Sequence, residues 1–220
     1  TIGIRDDVTH LSMDYGEEIN TVPDGTVSCK FWGLGSDGTV GANKNTIKII
    51  GDHTGLNVQA YFEYDGKKSG GVTRSHLRFG KEPIRSTYLV QNADFVACHN
   101  ESYLGKYDIL EDVKEGGSVL IACGWKEEEL ETHLTSAFKK KAADKHIHLY
   151  TIDSTGIAQE LGLGSRTNTI LQAAFFKITG IIPMEKAEEY MKKAIFKSYG
   201  KKGEKVIQMN YAAVEKGLEL

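Results

Sequence analysis

The chain has 220 residues, 40% of them hydrophobic and 26% charged, which suits one large domain with a core of its own. With 27 Lys and Arg against 30 Asp and Glu the net charge is −3, so no basic field exists to hold nucleic acid. No apolar run reaches the ~18 residues a membrane-spanning helix needs, and no signal peptide is visible. Cys29, Cys98 and Cys123 are odd in number and far apart, without a C-x-x-C pair. They read as buried, reduced thiols of a cytoplasmic protein, not as a disulfide framework, a zinc site or an iron–sulfur site.

In chain order, residues 1–24 form an extended polar arm closed by the turn Pro23-Asp24-Gly25. The chain opens on Thr1 without an initiator Met, and its first 20 residues are polar, as in a segment of something longer. Thr26–Trp32 is a β-prone apolar run, Gly33–Gly38 a glycine-rich turn, and Thr39–Ile50 has helical spacing with Val40, Ile47 and Ile50 on one face. Strand, glycine turn and helix open a βαβ unit. Asn57–Tyr64 is a second strand and Asp65–Val72 a loop. Thr73–Phe79, Ser86–Val90, Asp94–Cys98 and Ser118–Cys123 are further strands, with a polar helix or loop between the last two. Glu127–Lys145 is one charged helix, with acids early and bases late as the helix dipole prefers. His148–Ile152 is again a strand. Helices over Thr155–Leu161, Asn168–Thr179, Met184–Ser198 and Glu204–Lys216 close the chain, and Lys197–Lys205 is a helix break, not a domain linker. The pattern predicts an α/β fold: a Rossmann-like parallel or mixed sheet with helices on both faces, residues 1–24 as an arm and residues 25–220 as a single domain.

Two segments carry chemistry. Gly33-Leu34-Gly35-Ser36-Asp37-Gly38 fits G-x-G-x-x-G between a strand and a helix. There glycines let backbone N–H groups approach an anion, the helix N-terminus adds partial positive charge, and Ser36, Asp37 or Thr39 caps the helix. A plain strand-to-helix turn is the alternative, and the Asp37 carboxylate is an awkward neighbour for a phosphate. Asp65, at the end of the second strand, leaves room for a nicotinamide dinucleotide and hence for a dehydrogenase. The other segment is Lys67-Lys68-Ser69-Gly70-Gly71, followed by Arg74, His76, Arg78 and Arg85. Loops at the carboxyl ends of neighbouring parallel strands converge at one rim, so Lys67 and Lys68 should face the glycine loop and meet a phosphate. Alternation puts Arg74, His76 and Arg78 on one face of their strand, either as part of that site or as a solvated face. His146 and His148 stand two apart on a strand without a third ligand nearby, and no nucleophile elbow occurs. The lysines between 192 and 205 form a solvated surface or a contact for an anionic partner.

GLGSDGTVGANK with the following NTIKII, DGKKSGGVTRSHLRFGKEPIRSTYLV, NTILQAAFFKITGIIP, KGEKVIQMNYAAVEKGLEL and the VTHLS of the arm closely resemble the gamma-type domain of pyruvate:ferredoxin (flavodoxin) oxidoreductases. The resemblance spans nearly the whole chain. It implies a large multidomain enzyme, a homodimer, that oxidatively decarboxylates pyruvate on thiamine diphosphate with Mg²⁺. Electrons then pass through [4Fe–4S] clusters to ferredoxin or flavodoxin, and coenzyme A takes the acetyl group. The gamma domain is the part associated with coenzyme A. By position that role falls to Gly35, Ser36, Asp37, Gly38 and Thr39 in the first loop and to Lys67, Lys68 and Ser69 in the second, with Asn43, Lys44 and Arg74 behind them. Neither a thiamine-diphosphate segment nor cluster-forming cysteine spacing is present, so the implied role is binding and orientation, with no catalytic residue and no metal on this chain. The rival role within such an enzyme is a docking domain that organises the thiamine domains without a ligand of its own.

Overall fold

A computed structural model of the chain describes every residue except 1, 3, 5, 6, 15, 17, 18, 68 and 69. Strand β1 (Val27–Leu34) leads through the glycine turn into helix α1 (Thr39–His53) and strand β2 (Asn57–Tyr64). The chain then doubles back as β3 (Val72–Gly80), which pairs antiparallel with both β2 and β1. Strand β4 (Ala93–Cys98) lies parallel to β1 on its other side, followed by β5 (Val113–Ala122) and β6 (His148–Ile152), each parallel to its neighbour. The order is β2-β3-β1-β4-β5-β6. The sheet is therefore mixed: a βαβ unit is split by one antiparallel strand. The loop from Asp65 to Gly71 joins the antiparallel pair β2 and β3, so it leaves the carboxyl end of a strand that is parallel to β1 but not beside it.

One face of the sheet presents Cys29, Phe31, Leu77, Phe79, Phe95, Ala97, Leu120 and Ile152 to a layer made by α1, α4 (Ser154–Glu160), α5 (Asn168–Thr179), α6 (Met184–Tyr199) and α7 (Glu204–Leu218). Phe175 of α5 is the hub. Its ring centroid lies 5.4 Å from Phe31, 5.3 Å from Phe95 and 5.2 Å from Phe176, within the range where aromatic pairs add to area burial. Helices α5 and α7 approach closely because Gly217 meets the Ile170 carbonyl and Ala173, where a Cβ would come within 2.3 Å of that oxygen. Helix α1 turns a partly polar stripe inward, Thr39, Asn43, Thr46 and Ile50, with Gln172 Nε2 donating to Thr46 Oγ1 at 2.9 Å. Val40 and Ile47 are only half-buried.

The opposite face is most apolar under β1, β4 and β5. There Trp32, Val96, Cys98, Val119 and Ile121 pack against Tyr103, Leu110, Leu134 and Phe138. The charged stretch after β5 is two helices, α2 (Glu127–His133) and α3 (Ser136–Asp144). Thr135 breaks it by adopting extended backbone and capping α3, its hydroxyl accepting from Phe138 N.

One sequence expectation fails on this face. Ser86–Val90 is not a strand but irregular chain, held by the Arg78 guanidinium. Its Nη1 donates to Gln59 Oε1 at 2.8 Å and to the Thr87 carbonyl at 2.7 Å, and its Nη2 donates to the Leu89 carbonyl at 2.8 Å. The cationic strand face is in large part taken up by partners within the protein. His76 and Arg78 are buried, and Arg74 pairs with Glu63 at 3.1 Å while covering the Trp32 ring. His76 Nδ1 accepts from Val90 N at 3.0 Å, so its Nε2–H donates to Glu63 Oε2 at 2.7 Å. Burial lowers its pKa, opposed by that Glu63 bond. The period-two pattern grouped the three side chains correctly. Their partners come from β2 and from the 81–92 connection, which the pattern cannot see.

Cys29, Cys98 and Cys123 are buried free thiols. Burial pushes Cys29 well up and Cys98 up to about 12, so both stay protonated near neutral pH. No helix among the described residues is long and apolar enough to cross a membrane. Because the Arg78 fork holds the Thr87, Tyr88 and Leu89 carbonyls of a segment without secondary structure, Arg78→Lys should lower unfolding stability by about 2–3 kcal/mol by denaturant titration. Retention of wild-type stability would refute the anchoring role.

Candidate functional site

Register decides where the two loops go. Leu34 at the end of β1 pairs with Val72 at the start of β3, and Gly33 pairs with Thr73. The hairpin tip is thereby level with the glycine turn. Gly35 N donates to the Gly71 carbonyl at 2.7 Å, and Gly70 N donates back to the Gly35 carbonyl at 3.4 Å. The two turns extend the β-ladder by one step beyond the sheet. Between them lies a cavity of about 270 Å³ lined by Leu34, Gly35, Ser36, Asp37, Gly38, Val40, Tyr64, Asp65, Lys67, Gly71, Val72 and Thr73.

The glycine turn is organised from within by Asp37. Its Oδ2 accepts from Leu34 N at 2.7 Å and from the Thr39 hydroxyl at 2.9 Å, and its Oδ1 accepts from Thr39 N at 2.7 Å. A carboxylate thus already occupies the start of α1, where a bound anion would profit from the helix dipole. Gly38 is left-handed, with φ 88°. A Cβ there would also fall 2.4 Å from Asn168 Nδ2, which donates to the Asp37 carbonyl at 2.7 Å and ties the start of α5 to the turn. Ser36 is left-handed too, with φ 76° and an exposed side chain. Gly33 must lack a side chain because a Cβ would meet Thr39 at 2.7 Å and Thr73 Oγ1 at 2.9 Å.

His99, just past β4, completes the rim on the other side of β1. Its Nδ1 is 2.8 Å from Thr39 Oγ1. Thr39 donates its only proton to the Asp37 carboxylate, so the His99 Nδ1–H is the donor to Thr39. The ring sits edge-on to Phe31. Burial pushes the His99 pKa down to about 4 against the pull of Asp37, so the imidazole is neutral near pH 7.

The expected site residues divide accordingly. Gly35, Ser36, Asp37, Gly38 and Lys67 come together around the cavity. Thr39 is fully buried beneath them and serves the turn. Lys68 and Ser69 lie outside the described residues. Asn43 is buried on the inner side of α1, with its Nδ2 unpartnered among the described residues. Lys44 is exposed and covers the Phe62 ring on β2. Arg74, on the sheet face of Glu63 and Trp32, is not part of the lining. Lys44 and Arg74 therefore stand away from the cavity, displaced by helical and strand periodicity respectively. Sequence reading missed Thr73 and His99. Thr73 is 5% exposed, and its Oγ1 has no hydrogen-bond partner among the described residues. Its position opposite Gly33 was the available signal, but only the β1–β3 register reveals it.

The model of the pyruvate ferredoxin/flavodoxin oxidoreductase family matches residues 28–220. The chain belongs to this family. A pyruvate:ferredoxin oxidoreductase of Moorella thermoacetica is 58% identical over 219 residues, covering 100% of this chain and 19% of that protein. The chain thus spans about a fifth of the length of that curated relative. Among solved structures, the pyruvate oxidoreductase subunit PORC of Thermotoga maritima superposes with a TM-score of 0.70 at 25% identity, over 88% of this chain and 96% of that one. In that relative a separate subunit has nearly the extent of this oxidoreductase domain. A 2-oxoglutarate:ferredoxin oxidoreductase from Magnetococcus marinus, solved with 2-oxoglutarate, coenzyme A and succinyl-CoA bound, shares the fold at TM-score 0.63 and 19% identity, over 87% of this chain and 30% of that one.

An iron–sulfur cluster does not fit the described residues of this chain. Its three thiols are buried in or beside separate strands, and among the described residues no three His, Cys, Asp or Glu side chains gather as a metal site would need. Gly38→Ala should cost about 2 kcal/mol or more, from left-handed strain plus displacement of the Asn168 amide. Thermal unfolding measures this, and an unchanged midpoint would show that the turn does not depend on that glycine. Because the folded His99 pKa lies below the unfolded value, its contribution to stability is full above about pH 6.5 and is lost as pH falls toward 4. The wild type should therefore lose more stability than His99→Gln between pH 7 and pH 4.5; parallel losses would remove His99 from that acid limb.

Proposed function

We propose that this chain is the coenzyme-A-binding domain of a 2-oxoacid oxidoreductase that uses pyruvate. The cavity bounded by the glycine turn and the hairpin tip is its coenzyme A contact. The observation that carries this reading is the pair of Gly35–Gly71 and Gly70–Gly35 hydrogen bonds. They hold two glycine-bearing turns against each other around a cavity whose lip carries Lys67. Ser36 and Gly38 offer backbone donors, Gly35 closes the ladder to Gly71, and Lys67 with the neighbouring Lys68 and Ser69 offers charge and hydroxyl. Asp37 and Thr39 act on the turn itself. The coenzyme-A-bound Magnetococcus relative lends the reading general support.

In the whole enzyme, coenzyme A supplies the thiol that accepts the acyl group. This domain's residues bind and orient that carrier, so its contribution to rate is proximity. Oxidative decarboxylation, with thiamine diphosphate, Mg²⁺ and [4Fe–4S] clusters, belongs to the remaining four-fifths of such a polypeptide, with ferredoxin or flavodoxin as electron acceptor and a homodimer as the assembly. A docking role accompanies binding: Ile2, Met13 and Ile19 of the arm are at least two-thirds exposed, the kind of apolar surface other domains of the same polypeptide would cover.

Calorimetry on this chain should show coenzyme A binding that weakens as salt rises. Lys67→Ala combined with Lys68→Ala should weaken it roughly tenfold and flatten the salt dependence. Absence of coenzyme A binding to the wild type would overturn the reading and leave docking as the domain's role.

A further inference from the structure

The cavity floor differs chemically from its lip. Lys67 is the only cation among the described lining residues, and it is exposed at the edge. Asp37 and Asp65 bring two carboxylates to the same lining. Asp37 has both oxygens engaged by Leu34 and Thr39, and its charge sits at the start of α1. A phosphate group held between the loops would share that lining with two carboxylates and, among the described lining residues, a single cation at the edge.

Thr73 lies on that lining with a buried hydroxyl that has no partner among the described residues. A buried unpaired hydroxyl costs about 1–3 kcal/mol relative to a paired one. A β-branched apolar residue would fill the same strand position without that cost. Across the ladder stands Gly33, where a Cβ would come within 2.9 Å of Thr73 Oγ1. The cavity, at about 270 Å³, is below the usual ~300–1,000 Å³ of a pocket for a whole drug-sized ligand, so it admits only part of a molecule as large as coenzyme A.

We propose that Thr73 is a specificity-determining residue of this site. Its hydroxyl hydrogen-bonds an uncharged amide or hydroxyl group of the ligand held between the loops, while the phosphates remain outside, at the Lys67 lip. The proposal rests on the coenzyme A reading above and assigns the cavity to the amide- and hydroxyl-bearing pantetheine arm instead of the nucleotide end. Thr73 then exchanges apo stability for ligand recognition: the hydroxyl is unsatisfied in the empty domain and satisfied in the complex.

The test measures binding of coenzyme A, pantetheine and adenosine 3′,5′-diphosphate to the wild type, Thr73→Val and Thr73→Ser, with thermal unfolding of each unliganded protein. Thr73→Val should unfold at or above the wild-type temperature yet bind coenzyme A and pantetheine about tenfold more weakly. Thr73→Ser should regain most of that affinity. Adenosine 3′,5′-diphosphate should bind all three proteins alike. Equal affinities of the wild type and Thr73→Val for coenzyme A would overturn the assignment while leaving the coenzyme A reading intact. A Thr73→Val defect that appears equally with the adenosine diphosphate would overturn it in favour of the nucleotide end. A wild type that binds neither coenzyme A nor pantetheine would remove both readings together.

Discussion

The placement of β3 between β2 and β1 is the constraint on which the candidate site depends. A βαβ unit with adjacent parallel strands would put the end of β2 directly beside the end of β1. Here an antiparallel strand is interposed, and its first residues, not the last residues of β2, meet the glycine turn through the Leu34–Val72 pair. The register admits no slip. A shift of one residue would turn Arg74, His76 and Arg78 into the aromatic layer around Phe175 and expel Leu77 and Phe79 from it. The desolvation cost of three polar side chains thus fixes which residues stand at the rim, and with them the Gly35–Gly71 contact.

The glycine turn has its own electrostatic solution. Strand-to-helix turns of this sequence type commonly leave the helix N-terminus open for an anion. In this chain Asp37 supplies the anion covalently, accepting from Leu34 N and Thr39 N, and the chain Asp37–Thr39–His99 extends the arrangement across β1 to the end of β4. The turn is therefore organised from within, without a ligand. Asn168 links this turn to α5, and α5 carries Phe175 at the centre of the aromatic cluster. The rim is thereby fastened to the aromatic core of the molecule.

Much of this was legible from the chain alone. Hydrophobic runs bounded by glycine and polar residues located β1, β2, β4 and β6, and the helix over Asn168–Thr179 was read to its ends, because those signals are local. The long charged stretch was misread as one helix because acidic-then-basic order satisfies the dipole of two short helices as well as one. Ser86–Val90 looked like a strand because its composition is β-prone, but its carbonyls are taken by the Arg78 side chain instead of a neighbouring strand. Lys44 and Arg74 were placed at the site by nearness in sequence, whereas one sits on the side of α1 toward Phe62 and the other across the sheet beside Trp32.

The order of residues determined by itself the alternation of strands and helices, the two glycine-bearing turns, and the grouping of Arg74, His76 and Arg78 on a single strand face. Each follows from periodicity and backbone freedom within a few residues. Only the tertiary structure decided that the second turn is a hairpin tip, that Asp37 serves its own loop, that the cations of β3 are consumed by Glu63 and the 87–89 carbonyls, and that Thr73 is left with an unpaired hydroxyl at the cavity. Those outcomes depend on which residues lie opposite one another across strands. That pairing is set by the collective burial of both sheet faces, which no local stretch of sequence contains.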